Sequence, residues 1–352
     1  MRDVYVVVPD GIDDPARPSG GNTYDRNLCR ELGSQGWSAH ERSVTGFRDR
    51  PGAASLAALG RTLRQIPDDA IVLLDGLIAS TAPDVLQAQA SRLRLVVLVH
   101  MPLGHRPSDA IARGQERAAL ATATAIVTTS AWTRRRLIEL YGLPAHGVHV
   151  AEPGAPAAEP ASGTGAGEAL LCVGAVTFEK GHDILLEALE SISVPSWHCT
   201  CVGSLDRDPG FFESLRRRSR DGGLGERVSF PGPRTGADLD RSYASADLLV
   251  HASRAETYGL VVTEALARGL PVIAAEVGGV VEALGEGADG IRPGLLVAPG
   301  DPVALSGALS AWLGDAELRA RLRQAAGERR ESLPSWSTTT SVVAGVLAEA
   351  SR

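Results

Sequence analysis

Short apolar runs recur along the chain, and between them lie segments in which apolar residues have helical spacing. Several of the runs are apolar almost throughout, as expected for parallel strands that are buried on both faces. They are residues 4–8, 38–44 (a weaker pattern), 71–74, 95–100, 125–129 and 148–151 in the first half, and 169–173, 198–202, 227–230, 247–251, 271–275 and 294–297 in the second.

The intervening segments have the periodicity of helices. They include residues 24–32, 113–121, 184–188, 211–220 and 305–313. Alternation of strands and helices predicts parallel sheets joined by right-handed crossovers. Six strands, a break and six more strands therefore predict an α/β protein with two doubly wound, Rossmann-like domains.

The break between the halves is visible in the composition. Its sequence, PGAPAAEPASGTGAG, cannot form a core, and we interpret it as an interdomain linker. The length of 352 residues suits two domains of about 150–200 residues each. The predicted organisation is an N-terminal domain at residues 1–152, the linker at 153–167, a C-terminal domain at 168–333 and a final helix at 334–352.

Charge and composition exclude some classes of function. A net charge of −7 argues against nonspecific nucleic-acid binding, which needs a concentrated positive field. We expect a cytoplasmic protein, because the N-terminus lacks the apolar core of a signal peptide and no apolar run approaches the roughly 20 residues that span a bilayer. The cysteines have no metal-ligand spacing, and we interpret them as reduced, mostly buried small residues: Cys29, Cys172, Cys199 and Cys201.

Ligands of open parallel sheets bind at the carboxyl ends of strands, where two features of the first half lie. Gly20-Gly21-Asn22 follows the first strand and opens a helix, where the backbone can approach an anion closely. A plain turn is the alternative, and the full GxGxxG spacing of a nicotinamide-binding loop is missing. His100 ends another strand, where its imidazole can bond a substrate hydroxyl, unless it is a structural histidine.

Three charged residues occupy equivalent positions in the second half. Lys180 opens a helix after a strand and can reach a phosphate, although a solvated charge is the alternative. Glu256 and Glu264 flank a turn that leads into a helix predicted at residues 260–268. Glu256 can touch a ligand at the helix N-terminus, and Glu264 can accept hydrogen bonds from a vicinal diol such as a ribose. The alternative is a pair of ordinary acids at a helix start.

These residues resemble a known family. SRAETYGLVVTEALARGLPVIAAEVGGVVEAL, which contains Glu256 and Glu264, resembles the two-glutamate signature of the family 4 retaining glycosyltransferases. VGAVTFEKGHDILLEAL resembles the donor-phosphate segment of that family, and the glycine pair and His100 match it in order. The resemblance implies the GT-B fold, with two Rossmann-like domains facing across a cleft and a final helix that packs back towards the N-terminal domain.

The resemblance also implies roles for these residues. The catalytic group would be His100, Glu256 and Lys180: His100 and Glu256 would bind hydroxyls of the donor sugar, and Lys180 would neutralise the diphosphate. Glu264 would bind the ribose, and Gly20-Gly21 would approach the diphosphate from the other domain. The backbone amides that would meet the sugar and phosphate are those of Thr257, Tyr258, Gly259 and Leu260.

The expected reaction moves a sugar from a nucleotide diphosphate sugar, with UDP as the nucleotide, to a hydroxyl acceptor with retention of configuration. No cofactor or metal is expected, because no Asp-x-Asp lies where it could bridge a metal to a diphosphate. Neither the acceptor nor the sugar follows from the sequence. A phosphorylase or synthase of the same fold is an alternative, and so is an enzyme that contacts a membrane surface to reach a lipid acceptor.

One position departs from the family pattern. The arginine that usually follows the glycine of the phosphate segment is replaced by Ala175. Phosphate affinity would then be lower, or another residue such as Arg254 would substitute. A catalytically silent nucleotide-sugar-binding protein is a further alternative that this replacement supports.

Overall fold

The structure, a computed structural model, describes residues 1–47, 51–105, 109–194 and 196–352. Within this part of the chain two compact units form. Unit 1 contains residues 1–13, 21–154 and 334–352, and unit 2 contains residues 14–20 and 155–333. None of the helices in the described ranges is long and apolar enough to cross a bilayer.

Unit 1 is built on a six-stranded parallel sheet with the strand order β2-β1-β3-β4-β5-β6. Its strands are β1 (Arg2–Pro9), β2 (Trp37–Val44), β3 (Ile71–Asp75), β4 (Arg94–Val99), β5 (Ala125–Thr128) and β6 (Val148–Val150). Its helices are α1 (Gly20–Glu31), α2 (Ala53–Arg64), α3 (Gly76–Ala79), α4 (Pro83–Gln87), α5 (Ala110–Leu120), α6 (Ala131–Tyr141) and the last helix of the chain, α14 (Trp336–Ala350). The apolar pattern of β2 is weak because this strand lies at the sheet edge and is buried only at its two end residues.

Unit 2 contains a second six-stranded parallel sheet, with the strand order β12-β11-β10-β7-β8-β9. Its strands are β7 (Ala169–Val173), β8 (His198–Val202), β9 (Val228–Gly232), β10 (Leu248–His251), β11 (Val272–Ala275) and β12 (Gly294–Val297). Its helices are α7 (His182–Glu190), α8 (Pro209–Asp221), α9 (Gly236–Ala244), α10 (Leu260–Leu266), α11 (Val280–Leu284), α12 (Pro302–Gly314) and α13 (Ala316–Ser332). Short 3-10 turns occur at Leu32–Gln35, Leu103–His105, Ala145–Gly147 and Phe178–Lys180.

The core of unit 2 covers both faces of its sheet. Leu170 and Cys172 face an apolar cluster on one side, whereas Leu171, between them, faces a second cluster on the other. Successive strand residues point to opposite faces, so a strand that is buried on both sides must be apolar at every position. This burial explains the nearly continuous apolar runs, and the two parallel sheets confirm the predicted α/β class.

Two further segments each pack within one unit: residues 155–167 in unit 2 and the last helix of the chain in unit 1. Residues 155–167, within the predicted linker, run along unit 2, where the Ala161 amide donates to the Arg268 carbonyl and the Thr164 amide to the Asp247 carboxylate. In unit 1, helix α14 begins at Trp336, whose indole packs edge-on against the ring of Tyr24, with ring centroids 5.4 Å apart. The last helix of the chain is thereby part of the same unit as the first strand.

Candidate functional site

The strand order of unit 2 defines where a ligand can approach. β7 and β10 are neighbours in the sheet, and the chain continues from β7 towards one edge and from β10 towards the other. Connections that diverge in this way leave a crevice at the carboxyl ends of the two strands, which is the usual ligand site of doubly wound folds. Lys180 and Glu256 lie in the segments that directly follow these two strands.

The two residues are brought together as an ion pair. Lys180 Nζ lies 2.6 Å from Glu256 Oε2, and the side chains are 32% and 15% exposed. His251 Nε2, at the end of β10, lies 3.5 Å from the same carboxylate oxygen. Burial opposes ionisation of Glu256, but the charge of Lys180 and the contact with His251 outweigh it and hold the pKa of Glu256 well below its ordinary value. The site therefore presents a fixed anion beside a partly exposed cation.

Three glycines shape the backbone around this pair. Gly181 has φ of 67°, and a Cβ at this position would overlap the carbonyl oxygen of Ala252. Gly278 and Gly279 pack so closely on the turn after β10 that a Cβ on either would overlap the carbonyl oxygens of Glu256 and Thr257, respectively. Only glycine permits backbones to approach this closely. The glycines thus fix the turn that carries Glu256.

Arg254 holds the loop that carries Lys180. Its guanidinium donates to both carboxylate oxygens of Asp183, each at 2.7 Å, and to the carbonyl of Phe178. It also lies 3.9 Å from the centroid of the Phe178 ring. Because these partners engage the guanidinium, the arrangement weighs against Arg254 replacing the cation that is missing at Ala175. Arg254 instead stabilises the position of the segment that contains Lys180.

The second glutamate lies on helix α10. Gly259, with φ of 98°, precedes the helix, which begins at Leu260 and is two residues shorter at its end than predicted. Glu264 lies one turn in, and its Oε2 accepts a hydrogen bond of 2.7 Å from the hydroxyl of Tyr243. Burial raises the pKa of Glu264, while the bond from Tyr243 and the charge of Arg268 partly counteract this effect. A positioned acceptor is thus present on the same helix.

The remaining predicted residues of unit 2 border this helix. The amide of Thr257 donates to Glu256 Oε1 at 3.1 Å, and Tyr258 is buried beneath the turn. Gly20, which belongs to unit 2, lies beside Leu260, since a Cβ on it would be 3.8 Å from the Leu260 Cβ. The structure therefore gathers Lys180, Glu256, Glu264 and the 257–260 turn around the ends of β7 and β10.

Unit 1 has its own cluster of charged side chains at the ends of its strands. His100 follows β4, and its Nε2 lies 2.8 Å from Asp25 Oδ1 and 3.6 Å from Asp75 Oδ2. Gly21 packs against this imidazole, because a Cβ there would be 3.2 Å from His100 Cδ2. The rings of Tyr24 and His100 pack edge to face, with their centroids 5.3 Å apart. Gly21 and His100 are therefore parts of one arrangement.

Electrostatics favour a charged histidine in this cluster. Burial lowers the pKa of His100, but the charge and hydrogen bond of Asp25 and the charge of Asp75 outweigh burial and raise it to about 9. Burial and the charge of Asp25 raise the pKa of Asp75 to about 7. The three residues also offer ligand atoms within metal-binding range. However, 2.8 Å is the length of a direct hydrogen bond, shorter than the about 3.3 Å between two ligand atoms on a tetrahedral ion.

Sequence reasoning missed several of these residues. Asp75 ends the apolar strand β3, so its position carried a signal that the strand-end argument could have used. His251 ends β10 and carried the same signal, whereas Asp25 lies inside helix α1, where its local pattern indicates only a core or surface position. Tyr243 and Gly278 act through contacts with residues that are distant in sequence. These partners could be identified only from the folded chain.

Comparisons with known proteins agree with this geometry. A family model described as glycosyl transferases group 1 matches residues 163–329, and one described as glycosyltransferase family 4 matches residues 18–159. The two matches together cover most of the chain. The chain belongs to the group 1, family 4 glycosyltransferases. The resemblance inferred from the two-glutamate segment is thereby confirmed at the level of the family.

Curated relatives of this family 4 glycosyltransferase are aligned over part of their length. The D-inositol 3-phosphate glycosyltransferase of Salinispora arenicola is 31% identical over 290 residues, 74% of this chain and 62% of the relative. The sulfoquinovosyl transferase SQD2 of Arabidopsis thaliana is 32% identical over 170 residues, 48% of this chain and 31% of the relative. The chain spans from about a third to about 60% of the length of the curated relatives that it matches.

Solved structures show that the fold of this family 4 glycosyltransferase is GT-B. Sucrose-phosphate synthase from Thermosynechococcus elongatus superposes with a TM-score of 0.80 at 20% identity, over 99% of each chain. Anabaena HepE in complex with UDP and glucose superposes with a TM-score of 0.76 at 18% identity, over 99% of this chain and 100% of that one. The predicted GT-B fold class is confirmed.

Proposed function

We propose that this chain transfers a sugar from a nucleotide diphosphate sugar, with UDP as the nucleotide, to a hydroxyl acceptor, retaining the anomeric configuration and using no metal ion. The observation that carries the proposal is the Lys180–Glu256 pair at the ends of β7 and β10, with Glu264 on the following helix. Family membership supports the reaction class, and UDP is favoured because Anabaena HepE, which shares the fold, was solved in complex with UDP.

Lys180 supplies the positive charge for the leaving diphosphate. Cleavage of the anomeric bond builds negative charge on the diphosphate, and a cation held in place before the reaction stabilises it most effectively. Lys180 is the only lysine of the chain, so the other 34 of the 35 basic side chains are arginines. A flexible ammonium that is 32% exposed can turn from Glu256 towards a phosphate, whereas the guanidinium of Arg254 is held by Asp183.

Glu256 binds hydroxyls of the donor sugar as an ionised acceptor. Its lowered pKa keeps it anionic at neutral pH, and its position beside Lys180 places it next to the diphosphate site. A carboxylate so strongly stabilised by Lys180 is a poor nucleophile. Retention therefore proceeds by attack of the acceptor on the same face that the diphosphate leaves, and the leaving phosphate accepts the acceptor's proton.

Glu264 and His100 hold parts of the substrates that do not react. Tyr243 orients the Glu264 carboxylate, which accepts hydrogen bonds from the ribose hydroxyls. Asp25 engages Nε2 of His100, so the other ring nitrogen, Nδ1, is the one that meets a substrate hydroxyl. Asp25 and Asp75 thereby act as positioning residues for His100.

The single lysine makes donor binding directly testable. An amine-reactive reagent should label two sites, Lys180 and the α-amino group of Met1, and the latter serves as an internal control. UDP at saturating concentration should slow labelling of Lys180 about 10-fold or more and leave Met1 unchanged, as measured by peptide mass spectrometry. Equal labelling of Lys180 with and without UDP would count against a nucleotide site at this loop.

Turnover tests the remaining parts of the proposal. UDP-sugars should be consumed in the presence of a hydroxyl acceptor, and the names of the curated relatives make an inositol phosphate the first acceptor to try. Activity should persist after brief treatment with EDTA, and proton NMR should show a product with the anomeric configuration of the donor. Loss of activity with EDTA and its recovery with magnesium would refute the metal-free mechanism, and an inverted product would refute retention.

A second function has one observation in its favour. Ala175 replaces the family arginine, and Arg254 is bound to Asp183, so the phosphate loop has lost one expected cation. A chain that binds a nucleotide sugar without turning it over would fit this loss. It would show UDP protection of Lys180 but no consumption of any donor, either by transfer or by hydrolysis.

A further inference from the structure

Two cysteines and a histidine meet in the core of unit 2, and a third cysteine lies on the same face of the neighbouring strand. Cys172 on β7 and Cys201 on β8 are direct partners in the parallel ladder, and both are buried. His182, the first residue of α7, is buried as well, and its Nε2 lies 3.7 Å from the Cys172 sulfur. Cys199 lies two residues before Cys201, so its side chain points to the same face of the sheet, and it belongs to the same buried cluster. We call these four residues the Cys–His cluster.

The spacing of Cys172, Cys201 and His182 is compatible with three ligands of a tetrahedral zinc site. The Sγ atoms of Cys172 and Cys201 and a ring nitrogen of His182 all lie within 4.8 Å of one another. Zinc binds thiolates at about 2.3 Å and imidazole at about 2.0–2.1 Å, which places a sulfur and a nitrogen of one tetrahedral site about 3.6 Å apart. The observed separation of 3.7 Å between Cys172 Sγ and His182 Nε2 fits this value.

His182 is buried and directs Nε2 at the Cys172 sulfur. Its side chain is 1% exposed, and within the described part of the chain its Nδ1 has no hydrogen-bond partner. Zinc would bind at Nε2 and leave Nδ1 unchanged, so the observation in favour of a metal is the approach of Nε2 to two buried thiols.

We propose that Cys172, Cys201 and His182 bind one structural zinc ion, and that Cys199, two residues before Cys201 on the same face, turns its side chain to become the fourth ligand when the ion is bound. Four protein ligands close the coordination sphere, which is typical of structural and not of catalytic zinc. His182 follows Lys180 by two residues, so the ion would attach the start of α7, and with it the donor-phosphate loop, to strands β7 and β8. This site is separate from the reaction, which uses no metal.

Sequence spacing could not reveal the site. The ligands come from β7, α7 and β8, and they contain no CxxC pair. Only the parallel pairing of β7 with β8 places Cys172 beside Cys201.

The test is the zinc content of the full chain, produced without a histidine tag in zinc-supplemented medium and washed with EDTA. Mass spectrometry of the metal should find about one zinc ion per chain in the wild type and in Cys29→Ala. Cys29 is a matched control because it lies in unit 1, outside the cluster. Cys172→Ser and Cys201→Ser should retain less than about a tenth of the metal. Wild-type protein without zinc, or equal zinc in all four proteins, would overturn the proposal.

A spectroscopic measurement covers the case in which the serine variants fail to fold. Wild-type chain unfolded with a chelator and refolded with cobalt should gain the absorption of tetrahedral cobalt, with an intense sulfur-to-metal charge-transfer band. Cys29→Ala should give the same spectrum. A refolded wild-type chain with octahedral cobalt bands, or with no thiolate band, would overturn the proposal without reference to any variant.

Discussion

Asp25→Asn is the change that tests the charge of His100 most directly. Asparagine has nearly the same shape, and its Oδ1 can still accept the hydrogen bond from Nε2, but the negative charge is lost. Burial alone lowers the pKa of His100, and Asp25 is the largest influence that raises it. The pKa should therefore fall from about 9 to the ordinary value of 6.5 or below.

The structure sets the size of the effect. A shift from 6.5 to about 9 corresponds to about 3 kcal/mol in favour of the imidazolium. The folded-state pKa lies above the unfolded value, so this stabilisation is complete below pH 6.5 and is lost as the pH rises through about 9. The raised pKa of Asp75 likewise makes the free energy of unfolding fall as the pH rises, between its ordinary value of 3.8 and about 7. Between pH 6.5 and 9 the free energy of unfolding should fall in the wild type and change much less in Asp25→Asn.

The assay is an NMR titration of the histidine rings. The chain has eight histidines, and the signals of His100 can be assigned by their disappearance in His100→Asn. Asp3→Asn is the matched control, since Asp3 lies 2.8 Å from the exposed ring of His40 and should leave His100 unaffected. A wild-type His100 that titrates near 6.5, or one whose pKa is unchanged by Asp25→Asn, would show that this account of the cluster is wrong.

Four further substitutions test the donor site by steady-state kinetics, with circular dichroism to confirm folding. Glu264→Gln should raise the donor KM about 10- to 150-fold with a smaller effect on kcat, because the ribose does not react. Glu256→Gln should lower kcat about 100-fold or more, and a near-normal kcat for this variant in folded form would contradict the sugar-site assignment. Lys180→Ala should damage both constants, since the diphosphate is charged before and after cleavage, and an effect confined to KM would exclude a role in stabilising the leaving group. Gly278→Ala should abolish tight donor binding, because its Cβ would overlap the Glu256 carbonyl oxygen. Gly290→Ala is the control: it also has a positive φ but open space around it, so this variant should bind the donor normally. Equal affinity in both variants would show that the close packing at Gly278 is unimportant.

The sequence by itself determined the strands and the places where their ends carry polar residues. β3 is buried at every position, and a strand in that environment must be apolar throughout, which is a local property that the sequence displays. Lys180 and Glu256 could be selected because each directly follows such a strand. Parallel sheets bring the ends of their strands to one edge, so the position along the chain was sufficient for these two residues.

Only the tertiary structure decided which side chains meet. Asp25 and His100 are 75 positions apart, and their hydrogen bond depends on helix α1 returning along the edge where β3 and β4 end. Cys172 meets Cys201 because β7 pairs with β8 in one particular register, and a shift of one residue would turn either thiol to the other face of the sheet. Strand order and register result from the packing of the whole core. For that reason no local sequence pattern predicts the partners of His100, the glycines that pack against the Glu256 turn or the Cys–His cluster.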